Sequence, residues 1–336
     1  MIVMKPIQMI PLEQIDLFDE TFSVNFMPDL QRLRSSIEAV GLIQPVFLRK
    51  KLGGYRIICG FRRISVMKEL GKSEIESKVF EEKEMDDVQL FSLSLHENLT
   101  TRGFNAVEKA IALDKLIHRF QIDPAVIIET FLPSLSLEPN EKILNTYLAL
   151  ARMEDEIKTY VLKEEVSRSN IRRLSTLTPD DRMAIFSLIS SLKLGENRLR
   201  EVLTLLEEIS RRNQCRGKDI VQRSEIQDVL SQKELTPSQK AERVKNVLLH
   251  LRYPKMHQME KEFEKKRKGL NLPSNISLHH SPFFEGREWR VEFQFETVEE
   301  YQGTLNGLSI LAEKKEFQEM VNPLTLPLSP GGRGRG

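Results

Sequence analysis

The spacing of apolar positions in the first hundred residues predicts a mixed α/β domain. Over 29–40, between a proline and a glycine, apolar side chains recur every three to four residues, as in an amphipathic helix. Short apolar runs bounded by turn residues predict strands, and these cover 7–15 (interrupted at Pro11), 45–49, 55–59 and 75–80. Further helices are predicted over 62–70 and 88–95, and the second leads directly into a Glu-Asn pair at its exit.

From Asn105 onward the pattern is almost purely helical. Asn105 is followed three residues later by Glu108, which predicts a capping box and a helix to about residue 120. Further helices are predicted over 124–131, 140–153, 154–163, 170–174 and 179–192, and the charge-rich stretch 196–268 is also helical. Two helices joined by a short turn, 124–131 and 140–153, have the arrangement that a helix-turn-helix needs.

The last part of the chain returns to a mixed pattern. Strands over 276–280 and 289–295 and a helix over 298–311 predict a small α+β unit. Alternation in the second strand places four large apolar residues on one face, Trp289, Val291, Phe293 and Phe295. Such a face indicates core packing rather than a base-stacking platform. The Pro-, Gly- and Arg-rich residues from Pro323 onward predict disorder.

The predicted fold class is therefore composite. It comprises an α/β (α+β) N-terminal domain, an all-α central domain with a helix-turn-helix, and a small α+β C-terminal unit. The predicted divisions are 1–104, 105–210, a basic helical region over 211–268, the unit at 269–320 and a tail over 321–336.

Composition and charge restrict the possible functions. The 336 residues are 40% hydrophobic and 29% charged, and no apolar run approaches the roughly 18–20 residues of a membrane span. Two cysteines cannot form a disulfide scaffold or a four-ligand zinc site, which predicts a reducing, cytoplasmic setting. The net charge of +1 argues against indiscriminate coating of nucleic acid. It conceals a basic block, because residues 211–268 carry 16 Lys and Arg against 8 Asp and Glu.

Three short motifs lie at junctions between predicted elements, where binding sites are commonly found. They are SIEAVGLIQP at 36–45, GFRR at 60–63 and ENLTTR at 97–102. The glycine of the second motif precedes two arginines at a strand-to-helix turn, a combination that suits a phosphate group. The carboxylate and carboxamide of the third can hold a magnesium ion or a sugar hydroxyl.

In order and spacing these motifs resemble those of the ParB/RepB family of partition proteins, and ENLTTRGFNAVEKA at 97–110 continues the likeness. The resemblance covers roughly residues 5–210. It implies a ParB-like domain that binds CTP with Mg²⁺, closure of a homodimer into a clamp on DNA, and a possible ParA-type ATPase partner. It also implies a nucleoid-associated cytoplasmic protein with no membrane contact. In this match the region 121–157 is the helix-turn-helix and 140–152 its recognition helix.

The resemblance also implies roles for individual residues. The nucleotide-binding set is Gly41, Gln44, Gly60, Arg62, Arg63, Asn98 and Arg102. Glu97 and Asn98 are the predicted metal ligands, and Glu97 is the candidate catalytic residue for CTP hydrolysis. The predicted DNA-binding set is Lys142, Asn145, Thr146, Arg168, Ser169, Asn170, Arg172 and Arg173. Phe61 and Thr101 depart from the family pattern, which has Glu and Arg there, and Arg102 lies one residue past the usual arginine.

The fold has enzymatic relatives, which supply an alternative function. In sulfiredoxins a nucleophilic cysteine stands at the position of Phe61, whereas here the nearest cysteine is Cys59. Because neighbouring side chains on a strand alternate faces, a buried structural thiol is the favoured interpretation. The alternative remains a ParB-fold enzyme that acts on a nucleotide or a small phosphorylated substrate.

Overall fold

The structure is a computed structural model that describes residues 5–281 and 288–321. The chain forms two compact units, one of residues up to 190 together with 194–200, and one of 191–193 together with 201 onward. The sequence predicts five divisions of the chain, whereas the structure separates only two units. The division into five therefore stays a prediction. In the described ranges no helix is both long and apolar enough to cross a bilayer. The predicted disordered tail lies outside these ranges, apart from its first residue, Val321.

A five-stranded mixed sheet forms the core of the N-terminal part, in the order β1-β5-β3-β4-β2. The strands are β1 Ile7–Pro11, β2 Ile15–Asp16, β3 Val46–Lys51, β4 Gly54–Cys59 and β5 Glu74–Phe80. Pairing is antiparallel for β1 with β5 and for β3 with β4, and parallel for β3 with β5 and for β2 with β4. Many apolar residues of the predicted strands are buried here, including Val46, Leu48, Ile57 and Ile75, whereas Ile7 and Met9 of β1 are exposed.

The helices of this part follow the predicted caps. They are α1 Gln31–Val40, α2 Phe61–Glu69, α3 Asp87–Thr101 and α4 Ala106–His118. Asn105 and Glu108 form the predicted capping box of α4, and Asp86 with Gln89 forms a second at the start of α3. Helix α3 is longer than predicted, because it starts at this cap and runs on to Thr101. Glu97 and Asn98 consequently lie within the last turns of α3 rather than beyond its end.

The two helical segments of the predicted helix-turn-helix are present. Its first arm is a continuous helical stretch of α5 Pro124–Val126, a π-helical turn Ile127–Phe131 and α6 Leu132–Ser134, and its second arm is α7 Glu141–Ala151. Leu132, Leu135 and Leu144 are buried, and Ser136 turns the chain with a left-handed φ of 57°. The following helices are α8 Asp155–Lys163, α9 Arg168–Ser175 and α10 Pro179–Leu192.

The remainder of the chain is helical and ends in the small α+β unit. Its elements are α11 Glu196–Asn213, α12 Gly217–Val221, α13 Ser224–Ser231, α14 Pro237–Arg252, α15 Pro254–Gly269, β6 Ile276–His280, β7 Trp289–Phe293, α16 Val298–Glu313 and α17 Lys315–Val321. The predicted core face of β7 is wrong in part: Val291 and Phe295 are 38% and 52% exposed, while Trp289 and Phe293 are half-buried. Alternation shows which side chains share a face, but a two-stranded sheet is too small to cover that face.

Candidate functional site

The candidate site is built around the turn between β4 and α2. Gly60 caps α2 in a left-handed conformation, with φ 101° and ψ 20°. A Cβ atom at this position would lie 2.6 Å from Cγ1 of Val46, which is fully buried. Both the backbone angle and the space therefore require glycine. The turn leads directly into α2 and its two arginines, Arg62 and Arg63.

Arg63 forms a partly buried ion pair with Glu97 that joins α2 to α3. Its Nη2 donates to Glu97 Oε1 at 2.6 Å, and the two side chains are only 14% and 17% exposed. Its Nη1 donates to the backbone carbonyls of Gln44 at 3.1 Å and Pro45 at 3.2 Å. The guanidinium is therefore held by three oxygen acceptors, one of them in the predicted site residue Gln44, and it also donates to Cys59 Sγ at 3.8 Å.

Glu108 is a buried carboxylate that binds two further arginines. Its side chain is 1% exposed, with Oε1 accepting from Arg62 Nη2 at 2.6 Å and Oε2 from Arg102 Nη1 at 2.8 Å. Asn25 Oδ1 accepts from the same two guanidinium groups, at 2.9 and 3.4 Å. Burial, followed by the nearby charge of Arg102, lowers the pKa of Arg62. An unpaired buried carboxylate is costly, so these residues stabilise one another as a single network.

One cavity of about 200 Å³ is lined by the three arginines and by Glu97, whereas Glu108 is not among its lining residues. Arginines beside a helix N-terminus suit a phosphate group. The cavity is smaller than the ~300–1,000 Å³ of typical small-molecule sites, and carboxylates already occupy the arginines. A polyphosphate ligand must therefore compete with Glu97 and Glu108 for these guanidinium groups and widen the cavity as it binds.

The other predicted nucleotide residues divide between the cavity and its surroundings. Asn98 lines the cavity, where its Nδ2 donates to the Ser94 carbonyl at 2.8 Å and its Oδ1 accepts from Arg102 at 3.0 Å. Gln44 also lines it. Gly41 ends α1 with φ 80° and is exposed, outside the residues that line the cavity. The structure therefore brings Gln44 to the site, but not Gly41.

The two departures from the family pattern have a structural account. Phe61 packs against the core of the sheet and also reaches the cavity wall. Thr101 donates its hydroxyl to the Glu97 carbonyl at 2.9 Å and supplies no charge. Arg102 is the first residue beyond α3, with φ −140° and ψ −15°. Because it has left the helix, its guanidinium reaches the cavity despite the one-residue displacement.

Cys59 is a buried structural thiol, as the alternation on its strand predicts. It is 1% exposed, and its Sγ donates to Glu97 Oε2 at 2.8 Å. Burial, together with the Glu97 carboxylate, raises the pKa of this thiol above its ordinary value. A thiol that stays protonated is a poor nucleophile, which argues against sulfiredoxin-like chemistry.

We expect Cys59 to resist alkylation at neutral pH in the folded protein, while half-exposed Cys215 reacts. Mass spectrometry after iodoacetamide treatment would then show one modified cysteine without denaturant and two with it. The Cys215→Ser variant is the control and should remain unmodified until it unfolds. Rapid modification of Cys59 in this folded variant would contradict the assignment and reopen the enzymatic alternative.

The predicted DNA-binding residues lie on α7 and α9. Most of their side chains are accessible to solvent, but two are buried. Exposed side chains belong to Lys142, Asn145, Arg168, Ser169 and Arg172, and Arg173 is half-buried. Thr146 is buried and donates its hydroxyl to the Lys142 carbonyl at 2.8 Å. Asn170 is fully buried and donates to Glu196 at 2.9 Å. These two side chains are committed to intramolecular contacts, which leaves the exposed residues as the candidates for DNA.

Two residues of the cavity network were not predicted as functional from the sequence. Glu108 was assigned only a capping role, which it also performs. Asn25 lies outside every motif. No local pattern reveals either role, since Asn25 and Arg62 are 37 residues apart and Arg62 and Glu108 are 46 apart.

Comparison with known proteins shows which family the N-terminal part resembles. Residues 2–99 match the ParB N-terminal domain. The chain is 28% identical over 151 residues to a nucleoid occlusion protein of Halalkalibacterium halodurans, covering 45% of this chain and 50% of the relative. It is 26% identical over 166 residues to a probable chromosome-partitioning protein ParB of Vibrio cholerae, covering 49% and 54%. The chain thus spans about half the length of the curated relatives it matches.

Solved ParB structures give weaker likenesses. The C-terminally truncated ParB of Caulobacter crescentus complexed to the centromeric parS site is 20% identical with a TM-score of 0.35, covering 59% of this chain and 97% of that one. The same truncated protein complexed with CTP-γ-S is 21% identical with a TM-score of 0.26, covering 52% and 94%.

The motifs, the mixed sheet and the family match agree on the identity of the first part of the chain. The three motifs converge on one arginine-lined cavity beside α2, although Gly41 itself stays outside it. The α/β class predicted for this part is confirmed, as is the resemblance that its motifs carry. Residues 2–99 are therefore similar to the ParB N-terminal domain.

Proposed function

We propose that this protein binds double-stranded DNA sequence-specifically in the manner of ParB proteins, and that CTP regulates its hold on DNA. The observation that carries the proposal is the convergence of Arg62, Arg63 and Arg102 on one cavity at the glycine turn of a ParB-like N-terminal domain. Three guanidinium groups supply the charge-assisted hydrogen bonds that a triphosphate needs. We assign the phosphates to these arginines and to the backbone amides that follow Gly60.

Glu97 and Asn98 fit the proposed Mg²⁺ ion by the chemistry of their donors. A carboxylate and a carboxamide oxygen are ligands that Mg²⁺ accepts, and phosphate oxygens and water complete its shell. Glu97 is now bonded to Arg63 and Cys59, so transfer of Arg63 to a phosphate would free one carboxylate oxygen for the metal. The ion would neutralise phosphate charge, and Glu97 is the proposed catalytic residue for CTP hydrolysis.

The proposal places DNA contacts on α7 and on the N-terminal half of α9. Helix α7 is the second arm of the helix-turn-helix, the arm that enters the major groove in such motifs. Lys142 and Asn145 are exposed near its N-terminus, and Arg168 and Arg172 are exposed on α9. The region 121–210 has 11 basic and 15 acidic residues, so binding depends on these local cations rather than on net charge.

The ParB-like function also implies protein partners, a second copy of this chain and an ATPase. We propose a homodimer in which the C-terminal unit contributes an interface, because Leu305 and Ile310 of α16 are 42% and 63% exposed and Phe295 is 52% exposed. A ParA-type ATPase is the proposed protein partner, and the nucleoid in the cytoplasm is the proposed location. We propose that the protein acts in chromosome or plasmid partition or in a related regulatory role.

Recovery from a pool of genomic fragments, read by sequencing, tests the DNA assignment. The full chain should enrich a small set of related sites, and Asn145→Ala should relax that preference, since a good base contact is worth about 1–3 kcal/mol. Lys142→Ala and Arg172→Ala should weaken binding to all sites and reduce the salt slope by about 1 each if they contact phosphates. Lys163→Ala removes an exposed lysine from α8 and is the matched control. Uniform recovery of all fragments, or of none, would overturn sequence-specific binding.

A further inference from the structure

A cluster of two histidines and one glutamate lies at the junction of α14 and α15, far in sequence from the nucleotide cavity. His250 is in the last turn of α14, His257 is in the first turn of α15, and Glu260 follows one turn later. Tyr253 connects the helices, so the two histidines approach each other from different elements. All three side chains are half-buried.

The ligand atoms of this cluster lie close together, although the two imidazole rings are stacked on each other. The imidazole centroids are 3.5 Å apart, with their planes 25° from parallel. Nδ1 of His257 lies 3.9 Å from Glu260 Oε2, and one ligand atom from each residue lies within 4.8 Å of the others. Nδ1 of His257 is buried and makes no hydrogen bond within the described residues. A buried ring nitrogen without a partner is costly unless something else binds it.

Imidazole nitrogen and carboxylate oxygen are the ligands that Zn²⁺ and similar ions prefer. Zinc binds both at about 2.0–2.2 Å, so ligand atoms on one tetrahedral ion lie roughly 3.3–3.5 Å apart. To bind one ion, the 3.9 Å between His257 Nδ1 and Glu260 Oε2 must shorten slightly, and the two imidazole rings must rotate out of their stack so that each points a nitrogen at the ion. Two histidines and one carboxylate leave the fourth position of the ion to water.

We propose that His250, His257 and Glu260 bind one divalent transition-metal ion, with Zn²⁺ as the preferred occupant. Since the ligands come from both helices, the bound ion would fix α15 relative to α14 within this unit. This site is independent of CTP and of the proposed Mg²⁺ ligands.

The histidine cluster lines a surface cavity that is also bordered by three exposed lysines. These lysines make it possible to test whether the ligand is a cation or an anion. They are Lys261, Lys265 and Lys268. Their ammonium groups repel a cation and would attract an anion such as phosphate. Lys261→Ala should therefore strengthen binding of a metal ion, whereas it would weaken binding of an anion.

The experiment is a Zn²⁺ titration of the purified, metal-free full chain, with a chromophoric chelator as competitor. We expect one Zn²⁺ per chain, and Co²⁺ should give visible d–d bands of a nitrogen- and oxygen-ligated ion. His257→Ala should weaken Zn²⁺ binding by about 100-fold, because even residues that only orient ligands change metal affinity 10- to 100-fold. Affinity should fall as the pH is lowered, since protonated imidazole binds no metal.

His279→Ala is the matched control, because it removes a histidine near Glu292 in the same unit but outside the cluster. It should leave the Zn²⁺ affinity unchanged, and circular dichroism should show that both variants stay folded. The proposal is overturned if Zn²⁺ and Co²⁺ do not bind, or if His257→Ala binds Zn²⁺ as tightly as the unsubstituted chain. Stronger binding of inorganic phosphate than of Zn²⁺, together with weaker binding of that phosphate by Lys261→Ala, would show an anion site instead.

Discussion

Replacing Glu108 with glutamine should destabilise the N-terminal unit by about 3 kcal/mol, because removing one partner from a buried ion pair leaves the remaining charge without compensation. Two guanidinium groups, Arg62 and Arg102, depend on this carboxylate at 2.6 and 2.8 Å. Glutamine keeps the volume of the side chain and an acceptor for the α4 cap, so the loss reports charge rather than packing or capping.

Urea unfolding of the full chain followed by circular dichroism, with hydrogen exchange of peptides from β4 and α4, measures this loss. Glu129→Gln is the control, since Glu129 is exposed in the same unit, and it should change stability by less than about 0.5 kcal/mol. Tripolyphosphate should stabilise Glu108→Gln more than the unsubstituted protein, because it supplies the missing negative charge. Equal stability of the two Glu-to-Gln variants would contradict the proposed network.

Much of the fold follows from local sequence signals. The capping box at Asn105, the glycine turn at Gly60 and the periodicity of α1 and β3–β5 each depend on residues close in the chain, and each is present in the structure. Such signals identify elements because propensity and capping act within one or two turns. The exit of α3 was harder to predict, since the chain offers no strong helix stop between Asn98 and Gly103.

The charge network could not be predicted, because it is a tertiary feature. A capping role already accounted for Glu108, and the sequence gives no sign that Arg62 would approach it from 46 residues away. Likewise, the displaced position of Arg102 appears unfavourable only if α3 continues through it. The backbone leaves the helix at Arg102. Its side chain can therefore reach the cavity, which it would not do if the helix continued through this residue.

Replacing Arg63 with alanine is expected to weaken CTP binding by about 10- to 100-fold. A hydrogen bond between charged groups contributes roughly 1.5–3 kcal/mol, and each 1.4 kcal/mol changes affinity about tenfold. Arg63→Lys keeps the charge but loses the planar fork, so its affinity should lie between those of the other two proteins. Arg34→Ala removes an exposed arginine from α1 and should bind CTP normally.

The central claim, that this cavity binds CTP, is tested most directly by calorimetric titration of the full chain with CTP, ATP, GTP and UTP, each with and without Mg²⁺. The account predicts saturable binding of CTP in preference to the other three, strengthened by Mg²⁺ and lost or greatly weakened in Arg63→Ala. Absence of binding by every nucleotide, also in the presence of a DNA fragment that the protein enriches, would contradict it. The cavity would then be a closed network of arginines and carboxylates in a DNA-binding protein that nucleotide does not regulate.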